Sequence, residues 1–232
     1  MSDCVGSKLS KSPISLERES PMSWRRVETF FGTPWFLVVV LAVAAFDCFK
    51  PESVFQNPLI NIAVDSAIHT SLATIIWWIV ATRLVSDMPE DIGMTRKEEI
   101  TVVYLMSAAV DADHFIAAGA LDMWAATHLP SRQGLIFHNP FTMVMLAALA
   151  HIYGRRPRLA AIIVIAMGSH LLRDATRTGL LCYPIGVTPA VPYVCFIAFV
   201  CMLPASVEKY LRRSFALKSI PLTLNDTEGL SV

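Results

Sequence analysis

The run from Ile100 to Leu121 constrains this chain more than any other stretch. It is apolar over a length that matches a membrane-crossing helix, yet it contains Asp111, Asp113 and His114. Ionisable groups at that depth are costly. They persist where they face a protein interior or a wet cavity, often at a functional site. Composition agrees with a membrane setting. The 232 residues are 54% hydrophobic and 16% charged, with mean hydropathy +0.53 and several long apolar runs. These features predict an all-α, polytopic membrane helix bundle rather than a soluble domain. A net charge of zero argues against a nucleic-acid partner. Cys4, Cys48, Cys182, Cys195 and Cys201 form no CxxC pair and read as small core residues.

Six spans are expected over a transmembrane domain at 33–207. Residues 1–32 form a polar, juxtamembrane tail, disordered over 1–22, and the polar C-terminal tail runs over 208–232. Span one is Thr33–Phe49, with Asp47 near its end. Span two is Leu59–Thr82, with Trp77-Trp78 suited to an interface belt. A charged linker, Arg83–Glu99, leads to span three at Ile100–Leu121. The connection Asp122–Phe137 precedes a short span four at His138–Tyr153. Arg155-Arg156-Pro157-Arg158 makes a basic turn into span five, Leu159–Thr178. The turn-rich loop Gly179–Pro192 leads to span six, Tyr193–Val207. With six spans, 15 of the 19 Lys and Arg fall on one side. The exceptions are Lys50, Arg132, Arg173 and Arg177. That asymmetry predicts both termini in the cytoplasm.

Helix geometry then sets depth. At about 1.5 Å per residue, Asp111 and His69 lie roughly 15 Å inside their spans and His170 about 18 Å inside its own. Antiparallel helices therefore bring His69, Asp111, His114 and His170 to one level, with His138 opening span four nearby. Asp65 with His69, and His170 with Asp174, are four residues apart and share a helical face; Asp111 and His114 are also neighbours. Asp113 points elsewhere on an ideal helix and joins the site only if that helix bends. His170, Arg173, Asp174 and Arg177 form a polar stripe that begins abruptly at mid-membrane, as expected of a lined cavity. His128 and His151 read instead as polar residues bonding a neighbouring helix.

Imidazoles and carboxylates together ligate zinc, manganese or iron. A site with an open position activates water and polarises a carbonyl or phosphoryl group. Arg173 and Arg177 suit a phosphate, because guanidinium matches its oxygens. Asp65 or Asp113 could serve as general base, or as the partner that orients a ligand histidine.

Asp-x-Asp-His at 111–114, His138, and Ser169-His170 with Asp174, Thr178-Gly179 and Pro184 resemble the bacterial YdjM-like family of membrane-bound metal-dependent hydrolases. A closer resemblance is to the eukaryotic transmembrane protein 267 family. It is carried by Asp65–His69, Val110–Phe115, Leu129-Pro130-x-Arg132 leading to His138, Ser169–Asp174, Gly179-Leu180 and Cys182-Tyr183-Pro184. The resemblance covers about residues 60–195. It implies His69, Asp111, Asp113, His114, His138, His170 and Asp174 as a divalent-metal set, zinc being the expected ion. It also implies a phosphoester substrate in or near the lipid bilayer. Ser131-Arg132-Gln133-Gly134 lacks the first histidine of the bacterial His-Arg-Gly-x-Thr-His pattern, which removes one ligand. The expected function is a metal-dependent hydrolase of a lipid-associated phosphoester. The rivals are a catalytically silent, metal-stabilised structural protein and a small ion or proton carrier. The carrier reading is weakened by the absence of evident repeats or broken helices.

Overall fold

The computed structural model describes residues 33–49, 58–84, 92–122, 125–126 and 135–218. The expected 1–32 tail, His128, Pro130 and Arg132 lie outside these residues, as does everything beyond Lys218. The described elements are α1 (Thr33–Phe49), α2 (Pro58–Arg83), α3 (Arg96–Ala109), α4 (Ala112–Ala118), α5 (Pro140–Ile152), α6 (Pro157–Thr178) and α7 (Tyr193–Lys218). A two-stranded hairpin, β1 (Leu181–Cys182) and β2 (Gly186–Val187), sits between the last two helices. The fold is an all-α membrane bundle. Four stretches are long and apolar enough to cross a bilayer: Ile60–Arg83, Arg96–Ala118, Pro157–Thr178 and Tyr193–Ala216. Phe36–Phe46 and Pro140–Ile152 are shorter apolar helices.

Helix α6 is the hub. It packs against α2, α3, α5 and α7, and 72% of its apolar window is buried. Ile162, Ile165 and Ala166 of α6 meet Leu72, Ile76, Trp77 and Val80 of α2, and Phe196 and Val200 of α7. Burial of such side chains stabilises by about 1.5–3 kcal/mol each relative to water; within lipid, tight packing takes over that role. Asn139 caps α5 by accepting from the Phe141 amide, with Pro140 at the first helical position.

Several expectations are corrected. Span three starts at Arg96, four residues earlier than Ile100, because Thr95 and Glu98 form a reciprocal capping box. Within the span Arg96–Ala118 the α pattern has a local break at Val110-Asp111, where both residues stay right-handed helical (Val110 ψ −42°, Asp111 ψ −11°), before α4 resumes it. Trp77 is 1% exposed and belongs to the core, not to an interface belt. Helix α7 runs past Val207 to Lys218, into the segment expected to be a polar tail. Val207, Leu211 and Phe215 continue its buried stripe at four-residue spacing. The described cysteines are not core residues: Cys195 is exposed, and Cys182 and Cys201 are half-buried. His151 does bond a neighbouring helix, through the Tyr210 hydroxyl at 2.7 Å.

Candidate metal centre

Five segments deliver the site. Helix α2 carries His69 on the face that also holds Asp65. The break after α3 presents Asp111, and the first turn of α4 presents Asp113 and His114. The turn before α5 presents His138, and α6 presents His170, Arg173, Asp174 and Arg177. The break matters for α4. It lets Asp111 and Asp113 both reach the site region, which an unbroken helix would not allow.

Three ring nitrogens and two carboxylates converge. His170 Nε2 lies 3.2 Å from Asp111 Oδ1 and 3.4 Å from Asp174 Oδ2. His138 Nε2 lies 3.3 Å from Asp174 Oδ2 and 3.7 Å from Asp111 Oδ1. His69 Nε2 lies 3.2 Å from Asp174 Oδ1 and 3.6 Å from Asp65 Oδ2. The His69 and His170 rings stack with centroids 3.9 Å apart. All three Nε2 atoms are buried, yet none has a hydrogen-bond partner of acceptable geometry. They stand near the carboxylates without being aligned on them. Two ligands bound to one zinc at about 2.1 Å and a tetrahedral angle lie roughly 3.4 Å apart. The donor set therefore fits a divalent cation in spacing as well as in chemistry.

Two of the outward ring nitrogens are anchored to main-chain carbonyls, whereas His69 Nδ1 has no hydrogen-bond partner among the described residues. His170 Nδ1 donates to the Ser107 carbonyl at 3.1 Å, and His114 Nδ1 donates to the Ala126 carbonyl at 3.2 Å. A proton on Nδ1 leaves the lone pair on Nε2, the tautomer a metal ligand needs. These two anchors are main-chain carbonyls, so no residue type in the sequence signals them.

Asp113 stands behind His138, not among the convergent atoms. Its Oδ1 is 3.0 Å from His138 Nδ1, and its Oδ2 accepts from the Phe137 and His138 amides at 2.7 and 3.2 Å. At 1% exposure it is tied on both oxygens. It stands where a partner that orients the His138 ring would stand. Asp65 faces two guanidiniums: its Oδ1 lies 2.9 Å from both Arg173 Nη2 and Arg177 Nη1. Arg173 is fully buried there, whereas Arg177 is exposed.

A cavity of about 270 Å³ opens beside these groups. Asp111, His114, His138, Asp174 and Arg177 line it together with apolar Ile62, Phe115, Leu135 and Leu171. Two sets of three among the site residues hold their ligand atoms within 4.8 Å of one another: His69, His170 and Asp174, and Asp111, His114 and His138.

Membrane-capable helices wrapped around polar side chains define an integral, multi-pass membrane protein. The chain is 27% identical to transmembrane protein 267 of Danio rerio over 212 residues, covering 86% of this chain and 91% of that protein. It is 27% identical to the Bos taurus protein of the same name over 157 residues, covering 64% of this chain and 68% of that one. A third likeness, 29% over 120 residues, is to the Mus musculus protein, covering 48% and 56%. These likenesses support the transmembrane protein 267 family for this chain. No family model matches the chain, and no solved structure matches it.

Proposed function

We propose that this protein is a metal-dependent hydrolase of a lipid-associated phosphoester, with distant kinship to the bacterial YdjM-like proteins and both termini in the cytoplasm. The observation that carries the metal reading is the convergence of His69, His138 and His170 Nε2 with Asp111 and Asp174, unaligned for hydrogen bonding and beside a cavity. Asp113 holds the His138 ring in place, and Ser107 and Ala126 carbonyls do the same for His170 and His114. His69, His138, His170, Asp111 and Asp174 would hold a divalent cation, zinc by its donor set, and such an ion would supply an acidified water and polarisation of a phosphoryl oxygen. Two guanidiniums face one carboxylate in the Asp65, Arg173 and Arg177 group, so these three side chains carry a net positive charge. Arg177 brings that charge to the cavity wall, where it suits a phosphate. The apolar lining suits the lipid part of such a substrate.

Detergent-purified protein is expected to hold stoichiometric transition metal by elemental analysis, and His170→Ala to lose most of it. Vesicles of phosphoester lipids are expected to be cleaved by the first and not by the second. Protein that holds no metal and cleaves no phosphoester lipid overturns the reading. A second reading, a small ion carrier, gains from the interruption at Val110-Asp111, since ion-handling helices are commonly broken at the site. Liposome flux that Asp111→Asn abolishes, without lipid cleavage, would replace the first reading with this one.

Asp113→Ala is expected to weaken metal binding by about 10–100-fold, the usual effect of removing the partner of a ligand histidine. Competition against a graded series of chelators measures it. Unchanged affinity would mean that His138 is not a ligand.

A further inference from the structure

The site offers more ligands than one tetrahedral ion can use. His69, His114, His138, His170, Asp111 and Asp174 are six residues, and a zinc ion takes four. They divide into two triads of three protein ligands, the number that leaves a position open. The carboxylates stand between the triads. Asp111 Oδ1 approaches both His170 and His138, at 3.2 and 3.7 Å, and Asp174 Oδ2 approaches the same two rings at 3.4 and 3.3 Å. Each carboxylate thus reaches one ring from either triad, the placement of a bridging ligand.

The triads differ in access. His69 and His170 are buried and do not line the cavity. Asp111, His114 and His138 all do. His138 Nε2 is a second, independent indicator on that side, a buried ring nitrogen without a hydrogen-bond partner.

We infer that this is a dinuclear centre. An inner cation is held by His69, His170 and Asp174, and an outer one facing the cavity by Asp111, His114 and His138, with Asp111 spanning the two, so that the inner ion has four protein ligands and the outer one three. This rests on the metal reading above and sets its stoichiometry. It also divides the labour. Of the inner triad only Asp174 lines the cavity, so the inner ion would serve to fix the helices. The outer ion meets the phosphoester. Ions bridged in this way lie about 3.5–4 Å apart, a separation at which they can clamp both sides of a phosphoryl centre.

The test loads the detergent-purified full chain with zinc, removes free metal and counts ions per chain by elemental analysis. Two per wild-type chain is the expected value. His114→Ala, which touches the outer triad alone, is expected to hold one. Loading with Mn²⁺ gives a second readout: an exchange-coupled paramagnetic spectrum in the wild type, collapsing to the six-line signal of an isolated ion in His114→Ala. One ion per wild-type chain with an uncoupled Mn²⁺ spectrum overturns the dinuclear inference and leaves the metal reading standing. No bound ion overturns both. The wild-type count decides the matter even if the variant fails to fold.

Discussion

Glu99→Leu is expected to be among the most damaging single substitutions in this protein, costing about 3–5 kcal/mol, the usual effect of removing one partner of a buried ion pair. Glu99 is 1% exposed, and its Oε1 accepts from Arg158 Nη1 at 2.9 Å. The pair joins the first turns of α3 and α6; Asp111 follows the far end of α3, and His170 lies midway along α6. Twelve residues separate Glu99 from Asp111 and twelve separate Arg158 from His170, about 18 Å of helix in each case. The pair therefore fixes the register of α3 against α6 at one end, and the ligand distances follow at the other. Thermal unfolding in detergent measures the loss. Because the cost comes from removing the carboxylate that faces the buried Arg158 guanidinium, the double variant Glu99→Leu/Arg158→Met is expected to recover most of it. A double variant as unstable as the single one would show that the two residues do not act as a pair.

Gly179→Ala is expected to cost more than the same change at other positive-φ glycines. Gly179 has φ +75°, a backbone region that side chains avoid. Strain of that kind costs about 1–3 kcal/mol. Here a steric conflict adds to it, because a Cβ would overlap the Thr188 carbonyl oxygen. Gly119 supplies the control. It also has positive φ, at +63°, but a Cβ there meets nothing within 4 Å. Gly119→Ala should show only the milder strain of the left-handed helical region (φ +63°, ψ +19°), so the difference between the two melting temperatures reports the overlap together with the harsher backbone strain of Gly179 (φ +75°, ψ +166°). Gly179, Leu180 and Leu181 form one wall of the cavity, so the hairpin variant should also bind substrate more weakly. Equal melting temperatures for the two variants would mean that the loop gives way freely at Thr188.

The parts of this molecule that were legible in the sequence are those governed by local period. Asp65 with His69, and His170 with Asp174, share faces because four residues make about one turn, and both pairs meet at the site. Apolar run length gave the bundle for the same reason. What needed coordinates was relative rotation between helices and the behaviour of irregular backbone. Asp65 finds Arg173 and Arg177 across more than 100 residues, and nothing local announces that pairing. Asp113 turns toward His138 through the break at Val110-Asp111 and the turn at 136–138, neither of which has a proline or glycine to mark it. Glu99 and Arg158 look like ordinary flanking charges in the sequence. Helix α7 outruns its apolar run because its buried stripe continues among the charges of Glu208, Lys209, Arg212 and Arg213.

One further consequence comes from the brevity of α5. Its 13 residues make a rod of about 20 Å, against a hydrocarbon layer of roughly 30 Å. Phe141, Val144, Met145, Leu149 and Ile152 all face outward on it. A bilayer meets so short an apolar wall by dimpling. Thinning at the head of α5 would bring headgroups toward His138, the residue just before that helix's cap.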